Sequence, residues 1–196
     1  MWGLNLRFFW IFRFHIIILP VTLGTVVLGL LLQYSIKFNT KRNMTIGDKI
    51  PEILGTDQDG HEIKSSDFRG KKVILYSYPK ANTSGCTAEA CSLQAHKAEL
   101  EAAGYSIIGV SKDKAALQKK FADNNGLDFP LIADTETTLL QQLGCWGEKV
   151  ACGRRTIGTL RTTYLVNEEG VIEKIFTPKD IKTKIHAEQI LDYING

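Results

Sequence analysis

The residues in this chain best able to do chemistry are four cysteines: Cys86, Cys91, Cys145 and Cys152. Four are too few to scaffold a chain of 196 residues with disulfides. Their spacings contain no C-x-x-C and start no ordinary zinc site. His61, His96 and His186 are scattered and read as surface residues, not ligands. What remains is reactive-thiol chemistry or plain buried thiols, and local sequence separates the two. Cys86 lies in Tyr78-Pro79-Lys80-Ala81-Asn82-Thr83-Ser84-Gly85-Cys86-Thr87-Ala88-Glu89-Ala90-Cys91, where an apolar run stops at Pro79 and a polar loop leads into a helix. Cys86 therefore falls in a first helical turn. Unpaired backbone N–H groups and the positive end of a helix favour thiolate over thiol there. Thr83 or Ser84 supplies a natural N-cap, and Gly85 allows close approach of the chain.

The elements that must position this loop alternate in type. Residues 71–79 form a short buried strand ended by proline, and a helix follows from about 85 to 103, stopped by Gly104. Residues 105–111 give a second core strand. Residues 112–126 give an amphipathic helix with Ala116, Leu117, Phe121 and Ala122 on one side and Gly126 as its stop. Residues 129–134 form a third strand, and 135–144 a short helix capped by the threonine before Glu136. Residues 161–176 read as a hairpin around Asn167-Glu168-Glu169-Gly170, and 182–194 as a closing amphipathic helix. This order implies an α/β fold, a mixed central sheet with helices on both faces, and a thioredoxin-like arrangement satisfies it.

Charge divides the chain unevenly. Residues 1–43 carry Arg7, Arg13, Lys37, Lys41 and Arg42 but no acid; removing these five from 24 Lys and Arg leaves 19 against 21 Asp and Glu in residues 44–196. The body is slightly acidic and offers no nucleic-acid surface. Residues 16–36 are uncharged and as a helix would reach about 31 Å, the thickness of a bilayer core. Two readings of residues 1–43 stay open: a membrane anchor on a cytoplasmic catalytic domain, or an over-extended gene start upstream of Met44. A cleaved signal peptide fits less well, because no small-x-small site follows the apolar run.

The pattern Pro79-x-x-x-Thr83-x-x-Cys86 resembles the active site of peroxiredoxins, and YPKANTSGCTAEAC resembles their bacterioferritin comigratory protein (PrxQ) branch. The similarity runs through residues 45–196 in IGDKIPEIL, GYSIIGVS, LIAD, WGEK and GTLRTTYLVNEEGVI. It implies a thioredoxin-like domain that reduces hydrogen peroxide and organic hydroperoxides to water and alcohols in antioxidant defence. Cys86 would be the peroxidatic cysteine. Thr83 would bond the peroxide, and Pro79 would shield the thiolate. Arg161 would stabilise the thiolate and polarise the peroxide, and Glu89 would hold that arginine. The resemblance implies electrons from thioredoxin or a similar dithiol; no cofactor or metal is expected, because the thiol carries the chemistry, and the expected state is a monomer or weak dimer.

Attack on a peroxide leaves a sulfenic acid, which a second thiol must meet before over-oxidation. Cys91 is the nearest candidate for this resolving role. On an intact helix, residues five apart have Cα atoms about 8.7 Å from each other, whereas a disulfide needs less than about 7 Å. The helix between Cys86 and Cys91 must therefore open during the cycle. Three residues depart from the family pattern: Ser84 where many relatives have proline, Cys145 before Trp146-Gly147-Glu148, and Cys152. Cys145 and Cys152 read as buried or idle thiols, with a second resolving route as the sharper alternative. A thiol–disulfide reductase of the same fold would need the missing C-x-x-C. A binding module would have no reason to hold Pro79, Thr83, Cys86 and Arg161 together.

Overall fold

The run Val73-Ile74-Leu75-Tyr76 has no polar face, so a strand built from it must be covered on both sides. The computed structural model describes residues 43–151 and 153–196; residues 1–42, with the apolar segment, and Cys152 lie outside the described residues. Two short strands, β1 (Ile53–Thr56) and β2 (Glu62–Lys64), pair as an antiparallel hairpin ahead of the apolar run. The run itself becomes β3 (Lys72–Ser77), the centre of a five-stranded sheet. Beside it lie β4 (Tyr105–Ser111), parallel, and β8 (Thr162–Val166), antiparallel. The edges are β5 (Leu131–Ala133) and β9 (Ile172–Phe176), giving the order β5-β4-β3-β8-β9.

Successive residues of β3 point to opposite faces and enter different cores. Ile74 and Tyr76 pack with Leu93, Leu100, Phe121 and Ile190. These come from helices α1 (Ser84–Ala95), α2 (Lys97–Ala102), α3 (Ala115–Asn125) and α5 (His186–Asn195). Val73 and Leu75 pack with Leu54 of β1 and with Leu139 and Leu140 of α4 (Thr138–Gln142). The expected mixed sheet with helices on both faces is present, the second face being shared between one short helix and the β1–β2 hairpin.

Several local expectations are corrected. The single helix expected over 85–103 is two, separated at His96, whose backbone (φ −105°, ψ 13°) leaves helical geometry while its Nδ1 approaches the Ser92 carbonyl at 3.1 Å. In α3 the buried face holds Gln118, not Ala116, which is exposed. Gln118 is buried without penalty because its amide donates to Ser111 Oγ and to the Ile132 carbonyl, both at 3.0 Å, and accepts from Tyr78. The cap of α4 is not Thr135. Asp134 accepts the N–H groups of Thr138 and Leu140 at 2.8 Å each, and the chain enters through Thr137 at φ +60°. A further hairpin, β6 (Trp146–Ala151) with β7 (Arg154–Thr159), is absent from the expected order of elements; it leaves Val150 and Ile157 exposed, so it carries no buried-strand pattern.

His186 is likewise not a surface residue. It is fully buried, its Nε2 lies 2.8 Å from Thr163 Oγ1, and burial lowers its pKa from 6.5 to about 4. A histidine held neutral in the fold stabilises it fully above the unfolded value, and this is lost as pH falls toward the folded value. Between about pH 7 and pH 5 the loss amounts to about 2 kcal/mol. Glu89, raised by burial, acts in the opposite direction across the same window. The expected result is therefore a difference: over that interval wild type should lose about 2 kcal/mol more than His186→Gln in urea unfolding. Parallel pH dependences for the two proteins would contradict it.

Candidate active site

Arg161 reaches Cys86 across 75 residues of sequence because of sheet register. Ser77, the last residue of β3, stands opposite Thr162, the first of β8. The Ser77 hydroxyl donates to the Leu160 carbonyl at 2.7 Å and accepts the Thr162 N–H at 3.1 Å, fixing both neighbours of Arg161. From the same end of β3 the chain continues through Pro79 into the loop before α1. Thr83 is the N-cap residue of α1, and its carbonyl accepts the first helical bond from Thr87 at 2.8 Å. Cys86 is thus the third residue of the helix, among amides that the helix cannot itself pair.

Cys86 is 1% exposed, and Arg161 Nη2 donates to its Sγ at 3.2 Å. The other arm of the guanidinium, Nη1, makes a short ion pair with Glu89 Oε2. Glu89 lies one turn along α1 from Cys86 and is fully buried. Its second oxygen has no partner among the described residues, so burial pushes its pKa up to about 7, against the pull of the Arg161 charge. Burial alone would lower the Arg161 pKa, but the adjoining Glu89 and Cys86 charges outweigh it and the value is raised. Arg161 is therefore a fixed cation with one arm anchored and the other on the sulfur. A thiolate here has a charge partner, and so does any oxyanion released beside it.

Of the other expected residues, Pro79 is half-buried between β3 and the loop, and Thr83 is exposed. The Thr83 hydroxyl does not cap the helix; it donates to the Lys80 carbonyl at 2.9 Å. With its proton so committed, its oxygen has accepting capacity that no other described residue uses. Gly85 faces Arg161, and a Cβ there would lie 3.5 Å from Nη2, an ordinary contact. Cys91 is exposed, with its Sγ 3.8 Å from Asn125 Oδ1. It shares α1 with Cys86 but not its pocket. The residue after it, Ser92, is buried, and its Oγ accepts the Ala187 N–H at 3.2 Å. Cys145 is fully buried, 3.3 Å from the Tyr164 hydroxyl, and burial raises its thiol pKa. Sequence reasoning did not single out Asp113, whose carboxylate meets the active-site loop at Ala81, or Ser111, which bonds to Asp113; Ser-x-Asp at the end of a core strand was the available signal.

The AhpC/TSA family model matches residues 46–175. Peroxiredoxin Bcp of Escherichia coli K12 is 38% identical over 148 residues, covering 76% of this chain and 94% of its own length. Among solved structures, a Cys-to-Ser mutant of Xylella fastidiosa PrxQ superposes with a TM-score of 0.70 at 25% identity, covering 79% of this chain and 97% of that one. The bacterioferritin comigratory protein of Xanthomonas campestris, studied as trapped intermediate and ligand complexes for its alkyl peroxide reduction, gives 0.66 at 26% identity over 76% and 98%.

Proposed function

Because the chain belongs to the AhpC/TSA family and is a peroxiredoxin, we propose that it reduces hydrogen peroxide and organic hydroperoxides with Cys86 as nucleophile and Cys91 as the thiol that closes the cycle. The observation that carries this reading is the contact of Arg161 Nη2 with Cys86 Sγ at 3.2 Å, backed by Glu89. The Cys86 thiolate attacks one peroxide oxygen and the O–O bond breaks. The departing oxygen leaves as alkoxide or hydroxide, takes a proton, and becomes alcohol or water. Arg161 stabilises the charge on that oxygen, and Thr83 orients the peroxide. Cys86 is left as sulfenic acid. The Cys91 sulfur then displaces its hydroxyl as water, forming a disulfide.

A dithiol reductant of the thioredoxin type restores both thiols by exchange. No bound cofactor enters these steps, since two cysteine sulfurs carry both electrons. The alkyl-peroxide activity of the Xanthomonas relative supports organic hydroperoxides among the substrates. We place the domain in the cytoplasm, where such reductants work, as a monomer or weak dimer. Among the described residues no helix is long and apolar enough to cross a membrane, so attachment through residues 16–36 rests on sequence alone.

The test is a stoichiometry. Reduced protein given one equivalent of hydrogen peroxide should lose two thiols per peroxide consumed, and peptide mapping should find Cys86 joined to Cys91. Cys145→Ala should give the same result, because a buried thiol of raised pKa supplies little thiolate. Cys86 joined mainly to Cys145 or Cys152 would overturn the choice of resolving partner. Absence of thiol loss would overturn the peroxidase reading.

A further inference from the structure

Asp113 lies outside every role described so far, yet its carboxylate reaches the loop that carries Pro79 and Thr83. Its Oδ2 accepts the Ala81 N–H at 2.7 Å and the Ser111 hydroxyl at 2.9 Å. Ser111 Oγ in turn accepts the Asp113 N–H at 3.1 Å and the Gln118 amide at 3.0 Å, and Gln118 accepts the Tyr78 hydroxyl. The loop is thus gripped at Tyr78 and at Ala81, on either side of Pro79 and Lys80. Ala81 is only 3% exposed, so without Asp113 its N–H would lose this partner in a nearly dry setting. The next residue, Asn82, sits at φ +60°, a conformation that costs a non-glycine residue energy and must be held by its surroundings.

The N–H that Asp113 binds belongs to the Lys80–Ala81 peptide, and the carbonyl of that same peptide accepts the Thr83 hydroxyl at 2.9 Å. A peptide unit is rigid and planar, with N–H and C=O pointing in opposite directions. Fixing one end fixes the other. We propose that Asp113 is a positioning residue that sets the Lys80–Ala81 peptide plane and, through its carbonyl, aims the Thr83 oxygen at the peroxide site beside Cys86. The inference rests on the peroxidase reading and on the role given there to Thr83.

The measurement is the second-order rate of Cys86 oxidation by hydrogen peroxide in single turnover. Asp113→Ala should slow it by about tenfold or more, the scale expected when a reacting group is misplaced by part of an ångström. Asp113→Asn keeps a side-chain oxygen that can accept both Ala81 N–H and Ser111 O–H, and should stay within about threefold of wild type. In a Thr83→Val background, where there is no hydroxyl to aim, Asp113→Ala should change the rate by less than about twofold. General damage to the fold would instead multiply the two effects. Amide exchange supplies a readout independent of activity: Ala81 should lose protection in Asp113→Ala while Leu165 in the core keeps it. Additive effects, an Asn variant as slow as Ala, or an Ala variant as fast as wild type each overturn the proposal while leaving the peroxidase reading intact. A wild-type protein that peroxide does not oxidise removes both.

Discussion

Cys86→Ser is expected to reduce peroxide consumption to the background rate of an ordinary exposed thiol, with Cys91 left as the only exposed cysteine among the described residues. A serine hydroxyl in the same position is not ionised at neutral pH and has no comparable affinity for peroxide oxygen. The partner variants test whether Arg161 is what makes the proposed nucleophile Cys86 react quickly with peroxide. Arg161→Lys keeps a positive charge but lacks the planar fork that holds Glu89 with one arm and Cys86 with the other. Its single ammonium would settle against the buried carboxylate and leave the sulfur. The expected loss is about 100-fold or more in the rate of Cys86 oxidation, comparable to removing one donor from an oxyanion site. Single-turnover oxidation of each variant, followed by trapping of the sulfenic acid, separates this chemical step from later disulfide formation. Turnover with thioredoxin in Cys86→Ser, or a near-normal rate in Arg161→Lys, would sink the respective assignment.

The parts of this site legible in sequence are those written locally. The Pro-Thr-Cys spacing needs only a strand that ends and a helix that begins, and both β3 and α1 follow from short apolar and polar runs. The hairpin of β8 and β9 was equally plain, because Asn167 closes its own turn: its Oδ1 accepts the N–H groups of Glu169 and Val171 at 3.1 and 2.9 Å. What could not be read was register. Nothing in the residues around Arg161 says that Thr162 will stand opposite Ser77, and only that pairing brings a guanidinium to the thiol. Asp113 was hidden for a similar reason, since its partner is a backbone N–H 32 residues earlier. His186 reads as exposed because the lysines and acids around it mark an exposed stretch, whereas helix rotation turns it onto Thr163 and Phe176.

A disulfide between Cys86 and Cys91, as proposed, sets a condition on the helix that carries both. In the reduced protein α1 is continuous from Ser84 to Ala95, with Cys86 buried and Cys91 exposed on the same unbroken helix. Residues five apart cannot be bridged there, so oxidation should open the helix. Its two halves are not equally free to do so. Toward the N-terminus, the fold holds α1 mainly through Cys86 and Glu89 on Arg161 and through the small side chain of Ala90. Toward the C-terminus, Ser92 is bonded to Ala187 and Leu93 is fully buried in the core, so unwinding past Cys91 would expose a large apolar group and orphan an amide. Opening should therefore run from the loop to Cys91 and stop at Ser92. In hydrogen exchange the amides from Thr87 to Cys91 should be protected when the protein is reduced and exchange far faster once the disulfide has formed. Leu93 and Ala187 should keep their protection in both states. Loss of protection at Ala187 would move the boundary into the C-terminal helix. Equal protection of residues 87–91 in both redox states would mean that no opening occurs, and Cys91 could not then be the direct partner of Cys86.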